Sequence, residues 1–181
     1  SGFRVLDSFS RTVRLGEGLS QSGELSEAAR ARAIEAIRIC AFKMRKRGVT
    51  SARAIATQAC RMARNGPAFI KRVAAETGLH FDIIPPAEEA RLAARGVTPL
   101  LDRGDKGALV FDIGGGSTEL IWLDLRESKK RPRILRWGSI PLGVVTLGEK
   151  FLGRIDESGA YEAMVQAVAA LQLDARGHEL R

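Results

Sequence analysis

Long apolar runs are missing from this chain. No stretch approaches the roughly 18 consecutive apolar residues that a helical membrane span requires, so no membrane partner is expected. The opening residues, Ser1-Gly2-Phe3-Arg4, lack the basic, apolar and small-residue succession of a secretory signal, and a cytoplasmic location is the expectation. Starting Ser-Gly rather than Met, the chain reads as a processed or trimmed form. Cysteine is scarce: Cys40 and Cys60 have no metal-ligand spacing and fall in helix-like apolar patterns, which predicts buried free thiols. Only 6% of residues are aromatic and no nucleic-acid recognition motif is present, so surfaces for base stacking are few and nucleic acid is disfavoured as a partner. His80 and His178 have no partners in sequence and are not expected to be catalytic. Internal repeats and low-complexity tracts are absent too.

What is present is an ordinary core and an excess of positive charge. Of 181 residues, 45% are apolar, enough for one large domain or two small ones, and the net charge is +8. A pI near 10.2 suits polyanions: nucleic acid, nucleotide or polyphosphate.

The stretch Ala108–Leu125, ALVFDIGGGSTELIWLDL, organises the rest. Its apolar flanks, Ala108–Ile113 and Leu120–Leu123, are β-branched and aromatic and too short for helices, so they predict two strands joined by a tight turn. Gly114, Gly115 and Gly116 allow positive φ and let several N–H groups approach one anion, with Ser117 and Thr118 adding hydroxyls. Asp112 enters this loop and Glu119 leaves it. Two carboxylates beside a bare phosphate would repel it; a divalent cation such as magnesium between carboxylate and phosphate oxygens removes that conflict. The plain alternative is a glycine-rich hairpin turn, although a simple hairpin needs only two special residues.

Along the chain, Phe3–Leu6 and Thr12–Leu15 read as short strands. Ser26 caps a helix reaching about Arg47, striped with Ala29, Ala33, Ile37, Cys40, Ala41 and Met44 and stopped by Gly48. Its last turn, Lys43 to Arg47, is basic, as suits a helix C-terminus. Arg53–Thr57 reads as a buried strand followed by a short helix through Arg64. Pro67–Thr77 is a helix closed by Gly78, Phe81–Ile84 a strand ended by Pro85-Pro86, and Glu88–Arg95 a short helix. This alternation predicts an α/β unit with a largely parallel sheet. Residues 98–107 read as a hinge, and a basic turn at 126–133 leads to a third strand, Arg133–Ile140, completing an antiparallel meander. Helices are expected at Val144–Phe151 and Tyr161–Leu173. Two lobes follow, residues 1–106 and 107–181.

Asp112-Ile113-Gly114-Gly115-Gly116-Ser117-Thr118-Glu119-Leu120 resembles the second phosphate loop of the exopolyphosphatase/guanosine pentaphosphatase family. Arg14-Leu15-Gly16, the segment Ala56 to Asn65, Glu88-Glu89-Ala90-Arg91 and Ile140-Pro141-Leu142-Gly143 resemble further segments of that family in the same order, although Gln58 and Cys60 replace usually small or aliphatic residues. The resemblance spans nearly the whole chain. It implies an actin-like (ribonuclease H-like) two-lobed α/β fold, here incomplete at both ends. The family's first phosphate loop and a third glycine-rich segment have no counterpart, which makes the chain the middle of a longer protein and predicts little activity for these residues alone.

The resemblance also implies the chemistry: hydrolysis of a terminal phosphoryl group from inorganic polyphosphate or guanosine pentaphosphate. Glu89 is the expected base for water, since it opens a helix just after a sheet strand, where α/β sites gather; Glu88, about 100° round the helix, points elsewhere. Read from position alone, Glu89 is better taken as a first-turn carboxylate favoured by the helix dipole, and it is the resemblance that turns the reading to a base. Gly114, Gly115, Gly116, Ser117 and Thr118 are expected to bind phosphate with Arg61 and Arg14, and Asp112 with Glu119 to hold magnesium. A homodimer is a further expectation for the full-length protein. The competing classes are an actin-like nucleotide-binding kinase or chaperone fragment, which would lack the Glu89 segment, and a basic nucleic-acid-binding module.

Overall fold

Two parallel strands and an antiparallel meander, bridged by one helix, carry the architecture. The computed structural model describes residues 4–101, 104–128, 132–151 and 158–169, with side chains described as far as residue 166. After a short turn of helix, α1 (Leu19–Ser22), the long α2 runs Glu27–Lys46. Ser26 caps α2 by accepting from the Ala29 amide, and Gly48 takes the positive φ that lets the chain turn away. β1 (Ala54–Ala56), α3 (Gln58–Met62), α4 (Gly66–Thr77), β2 (Phe81–Ile83) and α5 (Pro86–Val97) follow, and β1 pairs with β2 in parallel. Pro67 in the first turn of α4 costs no hydrogen bond, and Gly78 closes that helix with φ 75°.

Alanines dominate the buried face of α2, so α4 approaches it closely. Leu25, Ala33, Ile34, Cys60, Ala63, Phe69 and Val73 form the resulting core, with Phe81 and Ile83 of β2 against it. Asn65, at the N-cap of α4, ties the start of that helix to the residue before the cap of α2, its side chain accepting from the Leu25 amide and donating to the Leu25 carbonyl. A second core lies under the meander of β3 (Gly107–Ile113), β4 (Thr118–Asp124) and β5 (Arg133–Ile140), which pair antiparallel in that order. Val110, Ile121, Leu123 and Trp137 point to one face, and Ala90 and Ala94 of α5 cover it. Helix α5 thus leaves the parallel strands and packs on the meander, which fixes its first turn beside the β3–β4 hairpin. Helices α6 (Val144–Lys150) and α7 (Ala160–Ala169) complete the described chain.

The sequence pattern misleads at the beginning. Of the expected strands Phe3–Leu6 and Thr12–Leu15, Phe3 lies outside the described residues and the remainder form no strand. A strand needs a neighbour to accept its backbone bonds, and this segment instead lies along α2. Asp7 is paired with Lys43 and Arg47, Arg11 with Glu35, and Arg32 donates to the Val13 carbonyl. Val5 and Leu6 are consequently exposed. Cys60 is buried as expected, but Cys40 is only half-buried, because it lies at the edge of the α2 stripe. The strand at β1 is shorter and less buried than its apolar run suggests, having one partner among the described residues. The end of the helix expected at Tyr161–Leu173, and the tip of the basic turn at 126–133, lie outside the described residues.

Candidate active site

Gly114 to Ser117 make the tip of the β3–β4 hairpin, between the paired Ile113 and Thr118. The turn is closed by the Gly114 amide donating to the Ser117 carbonyl at 2.9 Å. Its other carbonyls are held by the N-terminus of α6: the Val144 amide donates to Gly114, and those of Val145 and Thr146 to Gly115. Four orphan donors begin any helix; here three of them are satisfied by the loop. With the Gly114 and Gly115 carbonyls drawn toward α6, the amides of Gly115, Gly116 and Ser117 have no partner among the described residues and remain for an anion. Gly143 makes this contact feasible, since a Cβ there would overlap the backbone of Gly114 and Gly115.

The two hydroxyls of the loop face inward. Thr118 Oγ1 donates to the Leu142 carbonyl at 2.7 Å, bracing the loop against the β5–α6 turn. Ser117 is buried and hydrogen-bonded to Glu119. The donors the loop leaves over are therefore backbone amides rather than these hydroxyls, and the Gly114 amide is spent on the turn.

Asp112 and Glu119 are directly opposed across the β3–β4 ladder, with Ser139 opposite Glu119 on β5. Directly opposed residues share a face. Asp112 is exposed, whereas Glu119 is only 1% exposed and accepts from Ser139 Oγ at 2.8 Å. Burial, and then the nearby carboxylates of Glu89 and Asp112, push the Glu119 carboxyl above its ordinary range, against the pull of its serine bonds. Among the described residues no group of three or more metal-ligating side chains is assembled. Two opposed carboxylates of hard oxygen donors remain, which matches the way magnesium is usually held, by one or two carboxylates completed by substrate phosphates and water.

Arg61 and Glu89 meet at the opposite wall. Arg61 Nη1 donates to Glu89 Oε2 at 3.0 Å and to the Ile84 carbonyl at 2.6 Å, and Arg61 Nη2 donates to Gln58 Oε1 at 3.1 Å. Both side chains of the ion pair are largely covered. Glu88, by contrast, faces outward to Arg53 and Arg91. Arg14 has an uncommon positive φ of 48°, a conformation that costs a non-glycine residue energy and is concentrated at functional sites. Arg14, Gln58, Glu89 and the Gly114–Ser117 loop all line one cleft of about 1010 Å³. The chain thus brings together Glu89, Arg61, the glycine loop, Asp112 and Glu119; Arg14 lines the same cleft, with no ion-pair partner among the described residues. His80 is exposed and does not line this cleft, and His178 lies outside the described residues.

Among the comparisons with known proteins, the Ppx/GppA phosphatase family matches residues 1–174. The chain belongs to that family. It is 37% identical over 118 residues, 65% of its length, to the guanosine-5'-triphosphate,3'-diphosphate pyrophosphatase of Photobacterium profundum, of which that match covers 24%. The crystal structure of an exopolyphosphatase-like protein matches 93% of the chain with a TM-score of 0.78 at 27% identity, the chain covering 52% of it. An exopolyphosphatase from Cytophaga hutchinsonii matches 87% with a TM-score of 0.76 at 26% identity, and the Aquifex aeolicus member of the Ppx/GppA family 87% with 0.63 at 29%. The chain covers 49% and 48% of those two structures. It therefore spans about half the length of the structures it matches and has their actin-like α/β fold over the matched part.

Three residues around the candidate-site side chains were not legible as such. Gln58 stood out only as a departure from a small or aliphatic residue, and Ser139 gains its meaning from strand register with Glu119. Gly143 carried a signal, lying in the Ile140–Gly143 segment, but its partner across 27 residues of chain did not.

Proposed function

We propose that the protein carrying this chain is a phosphoanhydride hydrolase that removes the terminal phosphoryl group of inorganic polyphosphate or guanosine pentaphosphate. The observation that carries this reading is the cleft lined both by Glu89, which Arg61 holds, and by the Gly114–Ser117 loop. Arg14 and the remaining N–H groups of Arg61 neutralise the incoming phosphate. A guanidinium has five N–H donors; three of Arg61's are taken by Glu89, Ile84 and Gln58, which fixes its plane and leaves Nε and one hydrogen of Nη2 for phosphate oxygen. Glu89 takes a proton from water as the water oxygen attacks the terminal phosphorus. The bridging P–O bond breaks, and its electron pair leaves with the shortened polyphosphate or with guanosine tetraphosphate, the 5'-diphosphate oxygen carrying the charge. Positioning and charge neutralisation supply most of the acceleration in such transfers.

Asp112 and Glu119 would hold a magnesium ion, which supplies charge neutralisation at the phosphate oxygens. The ion also reconciles these carboxylates with an anionic substrate. The reading retains lobes at 1–106 and 107–181 that touch through α5, a homodimer for the full-length protein, and a cytoplasmic setting. No helix among the described residues is long and apolar enough to cross a membrane. An actin-like kinase or chaperone fragment shares the glycine hairpin but gives no reason for Glu89 to be held beside Arg61.

A side-by-side assay of the full-length protein on polyphosphate and guanosine pentaphosphate, with and without magnesium, tests the proposal. Phosphate release from at least one substrate, dependent on the cation, is expected. Nucleotide binding with transfer to an acceptor other than water would overturn it.

A further inference from the structure

We propose that Gln58 is a substrate-positioning residue, its side-chain amide nitrogen donating to a non-bridging oxygen of the polyphosphate chain bound between Arg61 and the glycine loop. This rests on the phosphoanhydride reading above and adds a residue to its site.

The orientation of the amide is decided by its neighbour. Arg61 is a pure donor, so the Gln58 atom that faces Arg61 Nη2 at 3.1 Å is the oxygen. The nitrogen, with two hydrogens, is then turned away from Arg61 and has no hydrogen-bond partner among the described residues. The stem of the side chain is fixed as well. It lies against Gly116, where an added Cβ would come within 2.9 Å of Gln58 Cγ. Gln58 therefore spans from the phosphate-facing arginine of α3 to the tip of the β3–β4 hairpin, and it lines the same cleft as Glu89 and the loop. A half-buried amide with its oxygen committed and its nitrogen free offers donors only, which suits an anion. It adds no charge, so it can contact phosphate beside Glu89, Asp112 and Glu119 without joining their mutual repulsion.

Three variants of the full-length protein separate this role from simple support. Gln58→Glu keeps the acceptor for Arg61 and the stem on Gly116 but replaces the donor by a carboxylate oxygen. Gln58→Met keeps the stem alone, and Gln58→Ala removes it. Kinetics on tripolyphosphate and calorimetric binding of a tripolyphosphate with non-hydrolysable nitrogen bridges are the two readouts. A hydrogen bond to a charged group corresponds to roughly a 10-fold or greater change in affinity. Gln58→Glu is expected to raise KM and Kd by about that factor or more, Gln58→Met by less, with kcat within about threefold in both and melting temperature unchanged. If Gln58→Glu behaves as wild type, the amide serves only to hold Arg61 and the inference is overturned. If Gln58→Ala binds more tightly than wild type, Gln58 obstructs the cleft and the inference is likewise overturned. Failure of the unaltered protein to bind the analogue at all overturns the phosphoanhydride reading together with this inference, whereas equal binding by all four proteins overturns this inference alone.

Discussion

Arg61 Nη1 lies 3.0 Å from Glu89 Oε2, both side chains are largely covered, and Glu89 lines the cleft. Arg61 comes from the short helix after β1 and Glu89 from the first turn of the helix after β2, so parallel pairing of β1 with β2 brings the two helix starts side by side. The ion pair fixes both side chains; under the proposed reading it would orient Arg61 for binding and Glu89 for proton transfer.

Glu89→Gln in the full-length protein preserves size and the acceptor for Arg61 but removes the basic oxygen. Turnover is expected to fall roughly 10²–10⁴-fold, the usual contribution of a general base, with little change in substrate affinity. Glu88→Gln is the control: Glu88 pairs with Arg53 on the outer surface and its loss leaves turnover near wild type. Steady-state kinetics on polyphosphate decide the matter, and the reverse pattern would move the base to Glu88.

Asp112→Asn acts through the cation rather than through the base. Asp112 is exposed and opposite Glu119, so weakening it lowers metal affinity. Activity lost at low magnesium is expected to return in part at high magnesium, and the concentration giving half-maximal activity rises by about tenfold or more. An unaltered magnesium profile would remove Asp112 from the metal site.

Much of this arrangement was legible in the sequence. The glycine hairpin, the three-stranded meander and the helix that carries Glu89 all declared themselves through apolar runs bounded by turn residues, although that helix begins at Pro86 rather than Glu88. The first segment did not, because alternation at Thr12–Leu15 says nothing of whether a partner strand lies alongside, and the salt bridges of Asp7 and Arg11 to α2 are invisible to a local pattern. Nor could the sequence show that the Ser117 and Thr118 hydroxyls turn inward, since that depends on Glu119 and on the Leu142 carbonyl. Contacts across long stretches of chain carry this information.

Gly143→Ala tests the brace between α6 and the loop. Backbone φ at Gly143 is −132°, open to any residue, so the cost comes from space alone. The added methyl meets the backbone of Gly114 and Gly115, which has no rotamer to escape by. A loss of about 1–3 kcal/mol in thermal unfolding is expected, typical of overpacking, together with weakened phosphate binding. A neutral effect on both would show that α6 does not set the loop.

Glu119 and Asp124, at opposite ends of β4, pull stability in opposite directions with pH. Burial raises the Glu119 carboxyl, so the folded state binds its proton more tightly than the unfolded state does. Its contribution then becomes less favourable as pH rises from the ordinary value of 4.5 through the raised one. Glu119→Gln should gain on wild type across that interval. Hydrogen bonds from Arg126 and then Arg133 hold Asp124 well below the usual carboxylate range. Its contribution is full above the ordinary value of 3.8 and is lost as pH falls through the depressed one. Asp124→Asn should therefore be less stable than wild type at neutral pH and converge with it in strong acid. Chemical denaturation across pH for the two variants reads both signs.

The most direct test of the central claim, that phosphate is held by the backbone at the β3–β4 hairpin facing Arg61 and Glu89, is an amide chemical-shift titration with inorganic phosphate and tripolyphosphate. The account predicts that Gly115, Gly116 and Ser117 shift first and furthest, followed by Arg61. Shifts centred instead on Lys43–Arg47 or on residues 129–133, with the hairpin unmoved, would contradict it and place the anion on the basic surface.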